Sequence, residues 1–253
     1  MNMVVLIPHH SSKSTLIACI ESVENTPIVV VDDSPSGGLS IEGVDIVRTQ
    51  GGVGFAQAVN QGLEYCMGVG FEYVLVLNDD ARLRPGCIRT LQKEWTDADG
   101  AIAPVLHETQ GPVFGICMTS YGRIYLRRTA GPVQAVSGAA MLFRASERFD
   151  PMFVHGFEDV ELCRRLNARG LQIRVIENAH CEHVGGGSID RRSRTAQRHA
   201  MSGHLRLVQG STQQAVAIAL GLGQVVREGG PLNRLLGVVD GIIDHMRGDS
   251  TPA

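Results

Sequence analysis

Two acidic pairs in this chain directly follow short apolar runs. Tyr73-Val74-Leu75-Val76-Leu77 leads into Asn78-Asp79-Asp80, and Val29-Val30-Val31 leads into Asp32-Asp33-Ser34. A buried strand that ends in carboxylates places negative charge at the carboxyl edge of a sheet, where open α/β sheets keep their ligands. Carboxylate oxygens there suit a hard divalent cation. The bland alternative is a solvated turn, because Asn and Asp favour turns and Pro85-Gly86 lies just beyond. Two such strand ends in one chain are harder to dismiss as turns than one. A third pair, Glu158-Asp159, follows Gly156-Phe157 and opens the periodic segment Val160 to Ala168, where it could do no more than complement a helix dipole. The turn Gly51-Gly52-Val53-Gly54-Phe55-Ala56 leads into a helix carrying Gln57, Asn60 and Gln61, so backbone N–H groups could approach a phosphate. Simple backbone geometry accounts equally well for some of those glycines.

These residues need a scaffold, and the first half of the chain supplies an alternating one. Strands are predicted at Val4 to Pro8, Ile28 to Asp32, Val44 to Val47 and Tyr73 to Leu77, with helices at Thr15 to Val23 and Ala56 to Met67. That alternation implies a parallel sheet flanked by helices. A helix is expected from Pro85-Gly86 to about Trp95, with Pro at an early helical position. Short strands follow at Ala101 to Pro104 and Val136 to Phe143, separated by an irregular, substrate-side stretch from Gly111 to Arg128. A strand at Gln172 to Ile176 is followed by a turn bracketed by His180 and His183. Ala215 to Val226 and Leu232 to Ile243 have helical spacing.

Composition narrows the class. The 253 residues, 43% of them hydrophobic, are enough for one large domain with a true core or for a domain with an appendage. A net charge of -3 gives no support for nucleic-acid binding. The late arginines Arg191, Arg192, Arg194, Arg198 and Arg206 are locally dense, and read as a solvated helix face or a loop that closes over phosphate. Polar His9-His10-Ser11-Ser12 follows the first apolar run, and no apolar stretch reaches the roughly 18 residues of a membrane span. A cytoplasmic location is expected, with peripheral contact to the inner membrane face as the alternative. Six scattered cysteines read as small buried hydrophobes of a reducing compartment. His180-Cys181-Glu182-His183 raises the thought of zinc, but no second cluster offers the usual four-ligand spacing.

Taken in order, the motifs resemble one family. They are Val5-Leu6-Ile7-Pro8, Val30-Val31-Asp32-Asp33-Ser34, Gly54-Phe55-Ala56-Gln57-Ala58-Val59-Asn60-Gln61-Gly62, Leu77-Asn78-Asp79-Asp80, Ser137-Gly138-Ala139-Ala140-Met141, Phe157-Glu158-Asp159-Val160-Glu161-Leu162-Cys163-Arg164-Arg165-Leu166, and His183 with Gly185 to Ser188. The chain is similar, over residues 3 to 188, to the family 2 glycosyltransferases of the GT-A fold, in the style of their rhamnosyltransferase-like branch. The resemblance implies an α/β, Rossmann-like domain over residues 1–188 with a mixed, mostly parallel sheet. Residues 189–253 would form a C-terminal helical region packing on that domain or on a partner subunit.

The resemblance also implies roles. Pro8 and His9 would shape the rim of the base pocket, Asp33 would hydrogen-bond the base, and Asp79 the ribose. Asp80 would bind a divalent cation, Mg²⁺ or Mn²⁺, bridging the diphosphate, and His183 would complete that site or contact the diphosphate. Gly138 and Ala139 would leave room for donor sugar and acceptor, Glu158 would position the acceptor, and Asp159 would be the general base. The donor would be a UDP-, dTDP- or GDP-linked sugar and the acceptor a saccharide, a lipid-linked molecule or a natural product. A base on the side of the anomeric carbon opposite the diphosphate implies inversion. A homodimer or a membrane contact could cover the C-terminal helices.

The sequence departs from the family pattern at three places: Asn78 begins the acidic motif, Gly52 stands where an asparagine is usual, and His10 replaces an aromatic residue. A sugar nucleotidyltransferase would share the sheet and carboxylates, but should carry a glycine-rich basic loop where this chain has Pro8-His9-His10-Ser11. A non-catalytic sugar-nucleotide-binding protein is the third reading. The joint presence of Asp80, Asp159 and His183 counts against it.

Overall fold

The computed structural model describes residues 1–154, 156–183, 193–208, 210–227 and 232–248. The chain begins β1 (Met3–His9), α1 (Lys13–Glu21), β2 (Ile28–Asp32), β3 (Asp45–Arg48), α2 (Phe55–Gly68) and β4 (Tyr73–Leu77). It continues β5 (Ala81–Leu83), α3 (Cys87–Glu94), β6 (Asp99–Glu108), β7 (Gly111–Val113), β8 (Ile116–Met118), β9 (Ile124–Leu126) and β10 (Ala140–Arg144). It closes with α4 (Glu158–Ala168), β11 (Gln172–His183), α5 (Arg194–Leu207), α6 (Ser211–Arg227) and α7 (Leu232–Arg247).

A nine-stranded sheet runs β3-β2-β1-β4-β10-β6-β11-β5, with β7 attached to β6. β1 is parallel to both β2 and β4, and β10 runs antiparallel between β4 and β6. The central strands are apolar throughout because both faces are covered. Val4, Leu6, Val29, Val31, Val74 and Val76 face a core shared with α2 and α4, through Val59, Leu63, Leu162 and Leu166. The alternate residues Val5, Ile7, Val30, Leu75 and Leu77 face a second core with Leu16 of α1 and Leu91 of α3. The chain steps to one side of β1 to form β2 and to the other to form β4, so the crevice at the carboxyl ends of β1 and β4 is the sheet's switch point.

Several elements differ from expectation. After β4 a tight turn at 78–80 leads into β5, a strand the sequence pattern does not announce, which pairs antiparallel with the end of β11. Helix α3 starts at Cys87 behind a left-handed Gly86, so Pro85 lies outside it. The stretch from Gly111 to Arg128 is not irregular but carries β7 and the β8–β9 hairpin. β11 runs on past Ile176 through a register shift against β6, so His180 and His183 are strand residues rather than the flanks of a turn. A bulge hides such a continuation from a period-2 reading.

At the C-terminus, Arg194 of α5 is exposed and Arg198 partly so, but neither is unpaired. They pair with Asp240 and Asp244 of α7 at 2.7 and 2.5 Å. A Cβ on Gly237 or Gly241 would stand 2.3 Å from the carbonyl of Arg194 or Arg198, so α7 lies directly on the backbone of α5. α5 in turn holds the body of the protein: Arg164 donates to the Leu207 carbonyl at 3.0 Å, and His204 Nε2 donates to the Gly122 carbonyl at 2.7 Å. No helix among the described residues is long and apolar enough to cross a membrane. Arg191, Arg192 and the Gly185 to Ser188 motif lie outside the described residues.

Candidate active site

The acidic strand ends converge at the switch point, but their carboxylates do different things. Asp32 is fully buried, accepts from the Ser34 N–H and hydroxyl, and pairs with Arg48 at 2.7 Å. Burial would raise its carboxyl, yet those hydrogen bonds and the guanidinium hold it below the ordinary range. Asp33 accepts from the Thr49 hydroxyl at 2.5 Å and from the N–H groups of Val53 at 3.0 Å and Gly54 at 3.1 Å. Its own carbonyl accepts from Gly52 N–H and His10 Nδ1. Asp33 therefore ties the 49–54 loop to the edge of β2. Gly52 and Gly54 both have positive φ, 72° and 89°, which explains glycine at each.

At the end of β1, His9 Nδ1 lies 2.8 Å from Asp79 Oδ2, both side chains buried. Pro8 is beside them on β1, in register with Val31 of β2. Asp80, one residue further round the turn, faces His183: Oδ1 and Nε2 are 3.4 Å apart. The other ring nitrogen, Nδ1, is 3.5 Å from Oε1 of Glu108 at the end of β6. Burial alone would lower the His183 pKa, but the two carboxylates raise it to about 9. His180 contacts His107, ring nitrogen to ring nitrogen, at 3.2 Å and stays apart from this cluster.

Among the described residues, no three His, Cys, Asp or Glu side chains converge as a metal cage. The donor set still fits a hard cation of the Mg²⁺ or Mn²⁺ type. Such ions are held by one or two protein ligands, with substrate phosphates and water completing the shell, and Asp80 and His183 present one oxygen and one nitrogen side by side.

On the opposite flank, Phe157 adopts a left-handed conformation, φ 71°, at the N-cap of α4. Its ring leans on His204 of α5 with 5.3 Å between centroids. Glu158 and Asp159 follow in the first helical turn, where negative charge suits the dipole. Asp159 Oδ2 accepts from Gly138 N–H at 2.9 Å and Oδ1 from Val160 N–H at 2.8 Å. Glu158 Oε2 is buried with no hydrogen-bond partner among the described residues. Burial, and then the neighbouring Asp159 charge, push Glu158 up to about 8, and burial also raises Asp159. Between the two flanks, Ala139 accepts from Asn78 N–H at 2.9 Å while Gly138 donates to Asp159. Consecutive residues thus tie the acidic turn to the helix carboxylate through two backbone groups. A Cβ on Gly138 would meet Phe55 and Asp159 at ordinary distances of 3.5 and 3.6 Å, so glycine is not required there by crowding.

Glu108 was absent from the sequence-level candidates. Its signal resembled the others, an acid at the end of an apolar strand, but β6 reaches it only by extending four residues beyond the predicted Pro104.

The sequence matches the profile of glycosyl transferase family 2 over residues 4–146. No curated protein matches the chain. A solved structure of GalNAc-T7 with UDP, GalNAc and Mn2+ aligns at a TM-score of 0.64 and 13% identity, over 97% of this chain and 54% of that one. This chain thus spans about half the length of that protein. Mannosyltransferase PcManGT from Pyrobaculum calidifontis, in complex with GDP-Man and Mn2+, aligns at 0.59 and 11% identity over 98% and 88%. Residues 1-349 of TarS from S. aureus align at 0.55 and 10% identity over 98% and 80%. These likenesses establish the fold, which is that of the GT-A glycosyltransferases.

Proposed function

Because the chain belongs to glycosyl transferase family 2, we propose that it transfers a sugar from a nucleoside-diphosphate sugar to an acceptor hydroxyl, with inversion. The observation that carries this reading is the bridge at Gly138 and Ala139, which joins the Asn78-Asp79-Asp80 turn to Asp159. On the donor side, the Asp33-tied loop and the His9–Asp79 pair shape the nucleotide pocket, with Pro8 at its rim. Asp79 retains one carboxylate oxygen beyond its bond to His9, which suits a ribose hydroxyl. Asp80 and His183 would hold the divalent cation. When bound, that cation would neutralise charge on the departing diphosphate as a Lewis acid.

The acidic pair on α4 divides its work by environment. Asp159 has two backbone N–H donors that favour its charged form, and Glu158 Oε2 has none, so the proton they compete for resides on Glu158. Asp159 is then the ionised base that takes the acceptor proton as the new glycosidic bond forms. Glu158, neutral, is a hydrogen-bond donor to the acceptor. Gly138 and Ala139 border the donor sugar. The Mn2+ in the GalNAc-T7 and mannosyltransferase structures supports a divalent cation here, and their UDP and GDP-Man support a nucleotide-sugar donor. A hexose or deoxyhexose donor, as in the rhamnosyltransferase-like branch, is the finer reading.

A thermal-shift screen of UDP, dTDP and GDP, each with and without Mn²⁺, tests the donor class. The expected outcome is stabilisation by one nucleotide that grows with the metal. Absence of any metal-dependent response would remove the cation from the scheme. NMR of the product linkage tests stereochemistry, and a retained anomeric configuration would rule out Asp159 as a base for direct displacement.

A further inference from the structure

Glu108 lies outside every motif that marked the site, yet it ends β6 beside the imidazole of His183. The pairing of β6 with β11 puts it there: His107 is in register with Glu182, so the next residue of each strand, Glu108 and His183, follow side by side. The two carboxylates near His183 are on different ring nitrogens, Asp80 at Nε2 and Glu108 at Nδ1. A carboxylate on the far nitrogen is not placed to share an ion with Asp80. Its other oxygen is directed elsewhere, with Oε2 at 3.7 Å from the guanidinium of Arg128. Arg128 is itself anchored to the β6–β7 turn by a 2.9 Å bond to the Gly111 carbonyl.

We propose that Glu108 is a positioning residue: it stands 3.5 Å from Nδ1 of His183, a nitrogen with no hydrogen-bond partner among the described residues, and by taking the Nδ1–H when the cation is bound it fixes the tautomer and ring orientation that leave Nε2 facing Asp80 and the cation. Carboxylate–histidine–metal arrangements of this kind set both ligand basicity and ring direction. The inference rests on the reading of Asp80 and His183 as the cation's ligands. It adds that the 111–128 region, through Arg128, is mechanically linked to that site.

The test uses the whole 253-residue chain and Mn²⁺ alone, with free Mn²⁺ measured by EPR. Glu108→Ala should weaken Mn²⁺ binding about 10- to 100-fold, the usual cost of losing such a partner. Glu108→Gln should bind Mn²⁺ nearly as well as wild type, because a carboxamide oxygen still accepts from Nδ1–H. Unchanged affinity in the alanine variant would overturn the proposal. Equal losses in both variants would also overturn it, since charge rather than orientation would then matter. Asp80→Asn and His183→Ala address the underlying reading: should both bind Mn²⁺ like wild type, the cation site and this role for Glu108 fall together. If either weakens binding while Glu108→Ala does not, only the Glu108 role falls. Nitrogen NMR of wild-type protein loaded with Mg²⁺ needs no variant to fold: the proton must appear on Nδ1 of His183, and a proton on Nε2 would overturn the proposal.

Discussion

Asp32-Asp33 and Glu158-Asp159 are chemically alike, and the fold uses them in opposite ways. The first pair ends a buried strand and is surrounded by donors: Ser34, Leu39 and Arg48 on Asp32, and Thr49, Val53 and Gly54 on Asp33. The second starts a helix, and it has two backbone donors on Asp159 and a bare, buried oxygen on Glu158. Hydrogen bonds to the charged form lower a carboxyl pKa, and burial without them raises it. Asp32 is accordingly held low and the α4 pair is pushed high. A carboxylate saturated with donors fastens a loop. One that is buried and less fully supplied can exchange a proton near neutrality.

Substitutions can break this contrast. The largest effect is expected from Asp159→Asn, which should lower kcat about 10²- to 10⁴-fold, the usual range for loss of a general base, while nucleotide affinity by calorimetry stays at the wild-type level. Wild-type turnover in that variant would remove Asp159 from the mechanism. Asp33→Ala should do the reverse. It strands the donors of Thr49, Val53 and Gly54, and each buried donor left unsatisfied costs about 1–3 kcal/mol. The expected readouts are a lowered Tm and weaker nucleotide binding, and an unchanged melting curve would show that the loop holds itself.

A smaller effect concerns pH. The α4 pair keeps a proton in the folded state that the unfolded chain releases above the ordinary glutamate value of 4.5, so its contribution is full below that value and is lost as pH rises through about 8. Asp32 has the opposite sign. Its lowered pKa contributes stability above the ordinary 3.8, which is lost on acidification. Glu158→Gln should therefore flatten the loss of stability on the alkaline side in denaturant titrations. It should also remove the alkaline limb of kcat/KM near pH 8, because a carboxamide keeps its donor where Glu158 would lose its proton, while the acid limb set by Asp159 stays in place. An alkaline limb that survives the substitution would mean that the proton does not reside on Glu158.

The smallest effect belongs to the C-terminal helices. Arg198→Ala removes a partly buried ion pair with α7 and should cost at most about 1 kcal/mol in denaturant unfolding, whereas Arg194→Ala removes an exposed one and should leave the unfolding curve in place, with turnover unaffected in both.

Much of the fold could be read along the chain. Runs such as Val74 to Leu77 and Val29 to Val31, short, rich in valine and bounded by turn residues, read as buried strands, and their alternation with helical periods points to a largely parallel sheet. The helix opening near Glu158 was equally plain. The continuation of β11 was not, because a register shift after Ile176 interrupts the alternation on which a strand is recognised. The pairing of the arginine face was hidden for a related reason: the partners of the exposed Arg194 and half-exposed Arg198 are Asp240 and Asp244, 46 residues later.

The sequence by itself determined which residues could do chemistry, because carboxylates, glycines and apolar runs at short spacing are local properties of the chain. Only the tertiary structure decided how those residues are used. Whether the Asp159 carboxylate keeps or gives up its proton depends on burial and on the donor that distant Gly138 supplies, and which groups Asp33 and Asp79 hold is likewise decided by segments far along the chain, the 49–54 loop and His9. Glu108 and His183 are 75 positions apart and meet only because β6 and β11 run side by side. Pairing energies of that kind are set by the assembled sheet, and no local spacing encodes them.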